Sequence, residues 1–205
     1  MHGVADWAIV SGDQRDALGE GVLWSARDDA IYWVDILAPA VNRLSLADGT
    51  LRRWAMAEPI GWLVERQAGG FIAGLQSGFA EISLDPLAIV PIGDPELELP
   101  GNRMNDGKAD ASGAIWCGTM DMAERADSGA LYRLDPDRSW QRKDDGYRVT
   151  NGPAFSPDGK FLYHSDTARK TVFRFLRTDA GGIAERAPFI QFEDADGHPD
   201  GMTVD

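Results

Sequence analysis

Thr150-Asn151-Gly152-Pro153-Ala154-Phe155-Ser156-Pro157-Asp158-Gly159-Lys160-Phe161-Leu162-Tyr163 runs from a polar start through a short apolar stretch and a tight turn into an aromatic strand. Proline presets φ for a turn and glycine accepts φ > 0, so Ser156-Pro157-Asp158-Gly159 predicts a hairpin between the two apolar runs. The same order recurs upstream. Asp110-Ala111-Ser112-Gly113 precedes Ile115-Trp116-Cys117, Gln67-Ala68-Gly69-Gly70 precedes Phe71-Ile72-Ala73, and the turn at residues 25–29 precedes Ile31-Tyr32-Trp33-Val34. A second strand with alternating apolar and polar side chains follows in each unit, at residues 42–46, 80–84, 131–134 and 173–175. That alternation marks a half-buried antiparallel strand, and Asp48-Gly49, Asp85-Pro86 and Asp135-Pro136 close three of these runs. Four short strands in a unit of roughly 40–50 residues form the pattern of a β-propeller blade.

Four unit starts carry an oxygen-bearing side chain near a glycine. Asn105, Asn151 and Asp200 follow one another at roughly 45–50 residues. Glu20 precedes Asn105 by about twice that interval, which leaves room for a unit starting near Gly61-Trp62. Residues at one phase of a circular repeat point to one place, so Glu20, Asn105, Asn151 and Asp200 are expected to converge at the channel mouth. Asn-Gly and Asp-Gly are also common turn dipeptides, but their recurrence in register favours a shared centre. Two carboxylates in a partly desolvated space repel each other, whereas a divalent cation removes that penalty and takes an amide oxygen as a neutral ligand. With only His2, His164 and His198 and the single Cys117, a closed structural zinc site is not expected.

Composition narrows the remaining possibilities. The 205 residues include 23 Gly, 11 Pro and 7 Trp, which suits one all-β domain over residues 1–205 with many turns. A net charge of −13 repels polyanions, so nucleic acid is not an expected partner. No apolar stretch is long enough to cross a bilayer as a helix, and Met1 to Asp6 lacks a basic region followed by an apolar run. A cytoplasmic protein with no membrane and no obligate protein partner is the expectation. Cys117 reads as a small core hydrophobe. Residues 91–101 read as an inter-blade loop and the acidic run at residues 193–197 as a solvated loop. His164 is expected to make a strand-end hydrogen bond, His198 to sit in a loop or pocket wall, and Trp62 to pack in the core or wall the pocket.

Five motifs carry a resemblance. Leu18-Gly19-Glu20-Gly21-Val22-Leu23-Trp24, Arg103-Met104-Asn105-Asp106-Gly107-Lys108, Trp116-Cys117-Gly118-Thr119-Met120, Thr150-Asn151-Gly152-Pro153 with Ser156-Pro157-Asp158-Gly159, and His198-Pro199-Asp200-Gly201-Met202 stand in this order. Together they resemble the senescence-marker-protein/gluconolactonase/luciferin-regenerating family, also called regucalcin-like. The resemblance implies a six-bladed β-propeller that hydrolyses sugar lactones with one divalent metal cation. Calcium is the first candidate, with zinc, magnesium, manganese and iron(II) as alternatives. By motif, Glu20, Asn151 and Asp200 would hold the metal, Asp200 would also act as the base, and Arg103 and Asn105 would hold the substrate. Glu124 is an approximate counterpart of an acidic substrate contact. Six blades need roughly 270 residues, so the expected architecture is C-terminally incomplete, with about four blades and the start of a fifth at residues 200–205. Two other functions use the same features: a metal-dependent esterase or organophosphate hydrolase, and a non-catalytic calcium-binding propeller.

Overall fold

The computed structural model describes residues 15–179 and 181–204. The expectations placed on Met1 to Asp6, His2 and Asp205 lie outside the described residues.

Sixteen strands form four antiparallel sheets of four strands each, every sheet a simple meander. Sheet 1 holds β1 (Gly19–Ser25), β2 (Ala30–Asp35), β3 (Ala40–Ser45) and β4 (Leu51–Ala55). Sheet 2 holds β5 (Ile60–Glu65), β6 (Phe71–Leu75), β7 (Gly78–Leu84) and β8 (Leu87–Gly93). Sheet 3 holds β9 (Asn102–Ala109), β10 (Ile115–Asp121), β11 (Gly129–Leu134) and β12 (Trp140–Tyr147). Sheet 4 holds β13 (Thr150–Phe155), β14 (Phe161–Asp166), β15 (Thr171–Arg177) and β16 (Ile183–Gln191). The first strands pack in chain order, β1 on β5, β5 on β9 and β9 on β13. This is the radial repetition expected of propeller blades.

Three apolar layers join the sheets. Tyr32, Ile36, Ile60 and Phe71 fill the layer between sheets 1 and 2; Trp62, Phe79, Met104 and Cys117 fill the next; Trp116, Leu131, Tyr147 and Phe175 fill the third. Strand β10 shows how the sequence builds two layers at once. Successive side chains of a strand point to opposite faces, so Ile115 and Cys117 enter the second layer while Trp116 enters the third. Residues 115–120 of this strand are all buried, which is why Ile115-Trp116-Cys117 lacks polar alternation. Complete burial of a side chain of this size is worth about 1.5–3 kcal/mol.

Each first strand carries an irregularity where its unit opens. The pairing register slips between Glu20 and Leu23 on β1, between Ile60 and Trp62 on β5, between Met104 and Gly107 on β9, and between Asn151 and Ala154 on β13. A β-bulge places one extra residue on the bulged strand and turns side chains to a new direction. At Gly61 the backbone approach leaves no room for a side chain: a Cβ there would lie 2.6 Å from the Met104 carbonyl oxygen.

One loop expectation needs correction. Pro91 to Gly93 belong to β8, the edge strand of sheet 2, where a residue without an N–H is tolerated. The rest of that connection is not purely solvated, because the Glu96 carboxylate is buried and accepts hydrogen bonds from Asn102 Nδ2 (2.8 Å), Thr119 Oγ1 (2.8 Å) and Tyr132 OH (3.1 Å). The acidic run at 193–197 is solvated as expected and contains a 3-10 turn at Asp194–Asp196. Asp200 starts no strand among the described residues; residues 197–204 are irregular. A strand forms only where a neighbour pairs with its backbone groups.

Candidate functional site

The bulge on β9 decides which side chains reach the site. In an unbroken strand Asn105 and Asp106 would face opposite sides, but the extra residue between Met104 and Gly107 brings both into one network with β13. Asn105 Nδ2 donates to the Thr150 carbonyl and to Asn151 Oδ1 (3.3 Å), and Asn105 Oδ1 accepts from Arg103 Nη1 (2.6 Å). Asp106 Oδ2 accepts from the Gly152 N–H (2.9 Å) and Oδ1 from the Gly107 N–H (2.7 Å). Gly152, next to Asn151, has φ +76°, a left-handed conformation that glycine adopts without penalty.

The 197–204 segment closes over this network. Lys108 Nζ donates to the Met202 carbonyl (2.7 Å), and Thr167 Oγ1 donates to the Pro199 carbonyl (2.7 Å). A Cβ on Gly201 would lie 3.6 Å from Asp106 Oδ2. Asp200 is exposed, and its carboxylate accepts the N–H of Gly201 (3.0 Å).

Glu20 lines one cavity with Asp106, Lys108, Gly201 and Met202. Burial pushes the Glu20 carboxyl above the usual carboxylate range, and the nearby Asp200 and Asp106 charges add to the shift; Arg103 opposes it. Burial also pushes Asp106 up to about 6. Arg103 is buried, and desolvation lowers its pKa against the charges of Glu124 and Glu20. Glu124 itself is exposed and reaches the group only through that charge interaction.

Hydrogen bonds join Arg103, Asn105 and Asn151, with Asp106 attached through Gly152, and Glu20 lines a cavity with Asp106 and Lys108, while Asp200 lies exposed with its carboxylate on its own neighbour Gly201; the repeat phase had not singled out Asp106 and Lys108. Among the described residues no three His, Cys, Asp or Glu side chains form a metal-holding group. The proposed ligand set is of a different kind, two carboxylates and one amide. A cation would offset the neighbouring carboxylate charges that add to the raised Glu20 pKa, and an all-oxygen donor set suits a hard or borderline divalent ion. In donor chemistry the residues fit that group.

Trp62 fills both roles expected of it. It is buried in the second layer and also lines a cavity of about 710 Å³ together with Glu20, Asp106, Lys108 and Met202. His198 is in the loop, its Nδ1 3.0 Å from the Thr167 carbonyl. His164 departs from expectation: it is fully buried, and among the described residues neither ring nitrogen has a hydrogen-bond partner. Cys117 is a buried core residue, and desolvation pushes its thiol pKa well above the ordinary value.

Comparison with known proteins shows which family the chain resembles. Residues 18–205 match the model of the SMP-30/Gluconolactonase/LRE-like region. A 6-deoxy-6-sulfogluconolactonase from Pseudomonas putida is 33% identical over 193 residues, covering 94% of this chain, which spans 66% of that relative's length. An L-arabinolactonase from Azospirillum brasilense is 33% identical over 205 residues, 98% of this chain and 68% of the relative. Among solved structures, regucalcin from Agrobacterium tumefaciens, described as a calcium-binding protein, superposes with a TM-score of 0.88 at 26% identity, covering 94% of this chain and 65% of that one. No helix of the described residues is long and apolar enough to cross a membrane. The sheet order, the site cluster and the match over residues 18–205 lead to one assignment: the chain belongs to the SMP-30/gluconolactonase/LRE-like family.

Proposed function

We propose that this chain carries the site of a sugar lactonase, which hydrolyses an aldonolactone to its aldonic acid. The observation that carries the reading is the hydrogen-bonded network that joins Arg103, Asn105 and Asp106 of β9 to Asn151 and Gly152 of β13 and ties Lys108 to Met202. The printed names of the lactonase relatives give the substrate class. The proposed ring is six-bladed, with the four described sheets as its first four blades, in keeping with the 66% of the relative's length that the chain spans.

A divalent cation held by Glu20, Asn151 and Asp200, calcium in the first instance, supplies Lewis-acid polarisation of the lactone carbonyl. Asp200 takes the proton of the attacking water, a role that requires an ionised carboxylate within hydrogen-bond reach. Its exposure leaves oxygen lone pairs free beyond the bond from the Gly201 N–H. Arg103 Nη1 is committed to Met104 O and Asn105 Oδ1, so Nη2 and Nε are the donors left for substrate oxygens. Asn105 gives its amide hydrogens to Thr150 and Asn151 and offers substrate the remaining Oδ1 lone pair. Glu124, beside Arg103, completes the polar rim that would meet the sugar hydroxyls. This polyol-directed lining favours lactones over aryl esters or organophosphates.

The test is turnover of a panel of aldonolactones by the parent and by Asp200→Asn, followed by acid release with calcium, manganese or zinc present. Loss of a general base typically costs about 10²–10⁴-fold, so a decrease of less than about tenfold removes Asp200 from that role. The name of the regucalcin neighbour favours a second reading, in which the chain only binds a cation. Ion binding by calorimetry without turnover of any lactone in the panel would support it.

A further inference from the structure

The Asp200 segment lacks a strand and is held by side chains from other elements, of which Thr167 makes the most connections. Thr167 opens the turn between β14 and β15, with its N–H on the Val149 carbonyl (2.9 Å) and its carbonyl accepting the Lys170 N–H (3.1 Å). Its hydroxyl lies 2.8 Å from Asn151 Nδ2 and 2.7 Å from the Pro199 carbonyl oxygen. Its carbonyl also meets His198 Nδ1 at 3.0 Å.

Hydrogen-bond capacity fixes the direction of each bond. A threonine hydroxyl has one hydrogen and two lone pairs. The Pro199 carbonyl can only accept, so the hydroxyl hydrogen goes there. Only acceptor capacity then remains for Asn151, which must present its NH2 group to Thr167. The Asn151 oxygen is consequently on the other side of the amide, where Asn105 Nδ2 approaches at 3.3 Å. The same hydroxyl therefore determines which end of the Asn151 amide faces the site and anchors the chain one residue before Asp200.

We infer that Thr167 is the positioning residue of this centre, setting the Asn151 amide and the Asp200 segment in register through one hydroxyl. The role rests on the lactonase reading for its purpose and on the three hydrogen bonds for its geometry. Outer groups that orient a metal ligand typically change metal affinity by about 10–100-fold when removed.

The experiment compares the parent with Thr167→Val and Thr167→Ser in two ways. In metal-free protein, hydrogen exchange over residues 198–204 should speed up in the valine variant and return to the parent rate in the serine variant, with β10 unchanged in both. In calorimetric titrations with calcium and with manganese, the valine variant should bind about 10–100-fold more weakly and the serine variant within roughly threefold of the parent. Parent-like behaviour of Thr167→Val in both measurements overturns the inference. Equal damage in valine and serine variants overturns it as well, because the methyl group and not the hydroxyl would then matter. A parent that binds neither ion sinks the metal reading alone, and the exchange measurement still decides whether Thr167 orders the segment. Thr167→Ala serves the same comparison if the valine variant does not fold.

Discussion

His164 shows how far one side chain can depart from what its neighbours in sequence suggest. Its ring packs edge-on against Tyr147, with centroids 4.8 Å apart, and its two nitrogens lack partners among the described residues. Burial, with a smaller contribution from Arg186, pushes the imidazole down to about 3 from an ordinary 6.5. The folded protein thus keeps His164 neutral while the unfolded chain takes up a proton below pH 6.5. Its contribution is fully present above that pH and is lost as the pH falls towards 3, at about 1.4 kcal/mol per pH unit. Asp106, raised to about 6, works in the opposite direction as it protonates. The informative quantity is therefore the difference between parent and His164→Leu in urea unfolding from pH 7 to pH 4. That difference should shift towards the variant by about 1.4 kcal/mol per unit below pH 6.5, and an unchanged difference would show that His164 is not a buried neutral group. From the sequence, Tyr163-His164-Ser165 reads as a strand end because the repeat does not reveal how closely sheet 3 packs on β14. The contact of Asn105 with Asn151 was legible because glycine-flanked repeat starts share one phase, whereas Asp200 opens no strand among the described residues. Asp106 was hidden by strict strand alternation, which the β9 bulge breaks.

Strands are the scale at which the sequence is most readable, since turn residues and apolar runs are both local signals. The aromatic runs and the alternating runs after them became β2, β3, β6, β7, β10, β11, β14 and β15. The connection after β7 was misread because Pro91 looks like a loop residue, and only the edge position of β8 makes it acceptable. Packing between elements is less legible, and Gly118 on β10 is an example. A Cβ at Gly118 would lie 2.4 Å from Thr150 Cβ and 3.1 Å from His164 Nε2, so sheets 3 and 4 meet where one residue has no side chain. Gly118→Ala should destabilise the fold by about 1–3 kcal/mol through overpacking, lowering Tm by about 2–4 °C per kcal/mol for a chain of this size. Scanning fluorimetry measures it, and a Tm equal to that of the parent would mean that the interface yields freely. Thr150 precedes Asn151, so the same substitution should also weaken ion binding.

For the molecule as a whole, the succession of four-stranded sheets is readable from the recurrence of units, while the route by which residues 197–204 return over the first strands is not. That path depends on contacts made by Lys108 and Thr167, which lie far from it in sequence. The −13 charge is likewise visible in composition, but the meeting of Glu20 with Asp106 around one cavity requires the folded arrangement. One feature of the second apolar layer turns the molecule into its own gauge. Cys117 is the sole thiol of the chain and is wholly enclosed between sheets 2 and 3. An alkylating reagent can reach it only when those sheets part, so the rate of modification times that parting. Saturation with a cation that bridges distant strands should slow this clock about a hundredfold at a hundred times Kd, whereas an ion that merely decorates the surface would leave it running at its original pace.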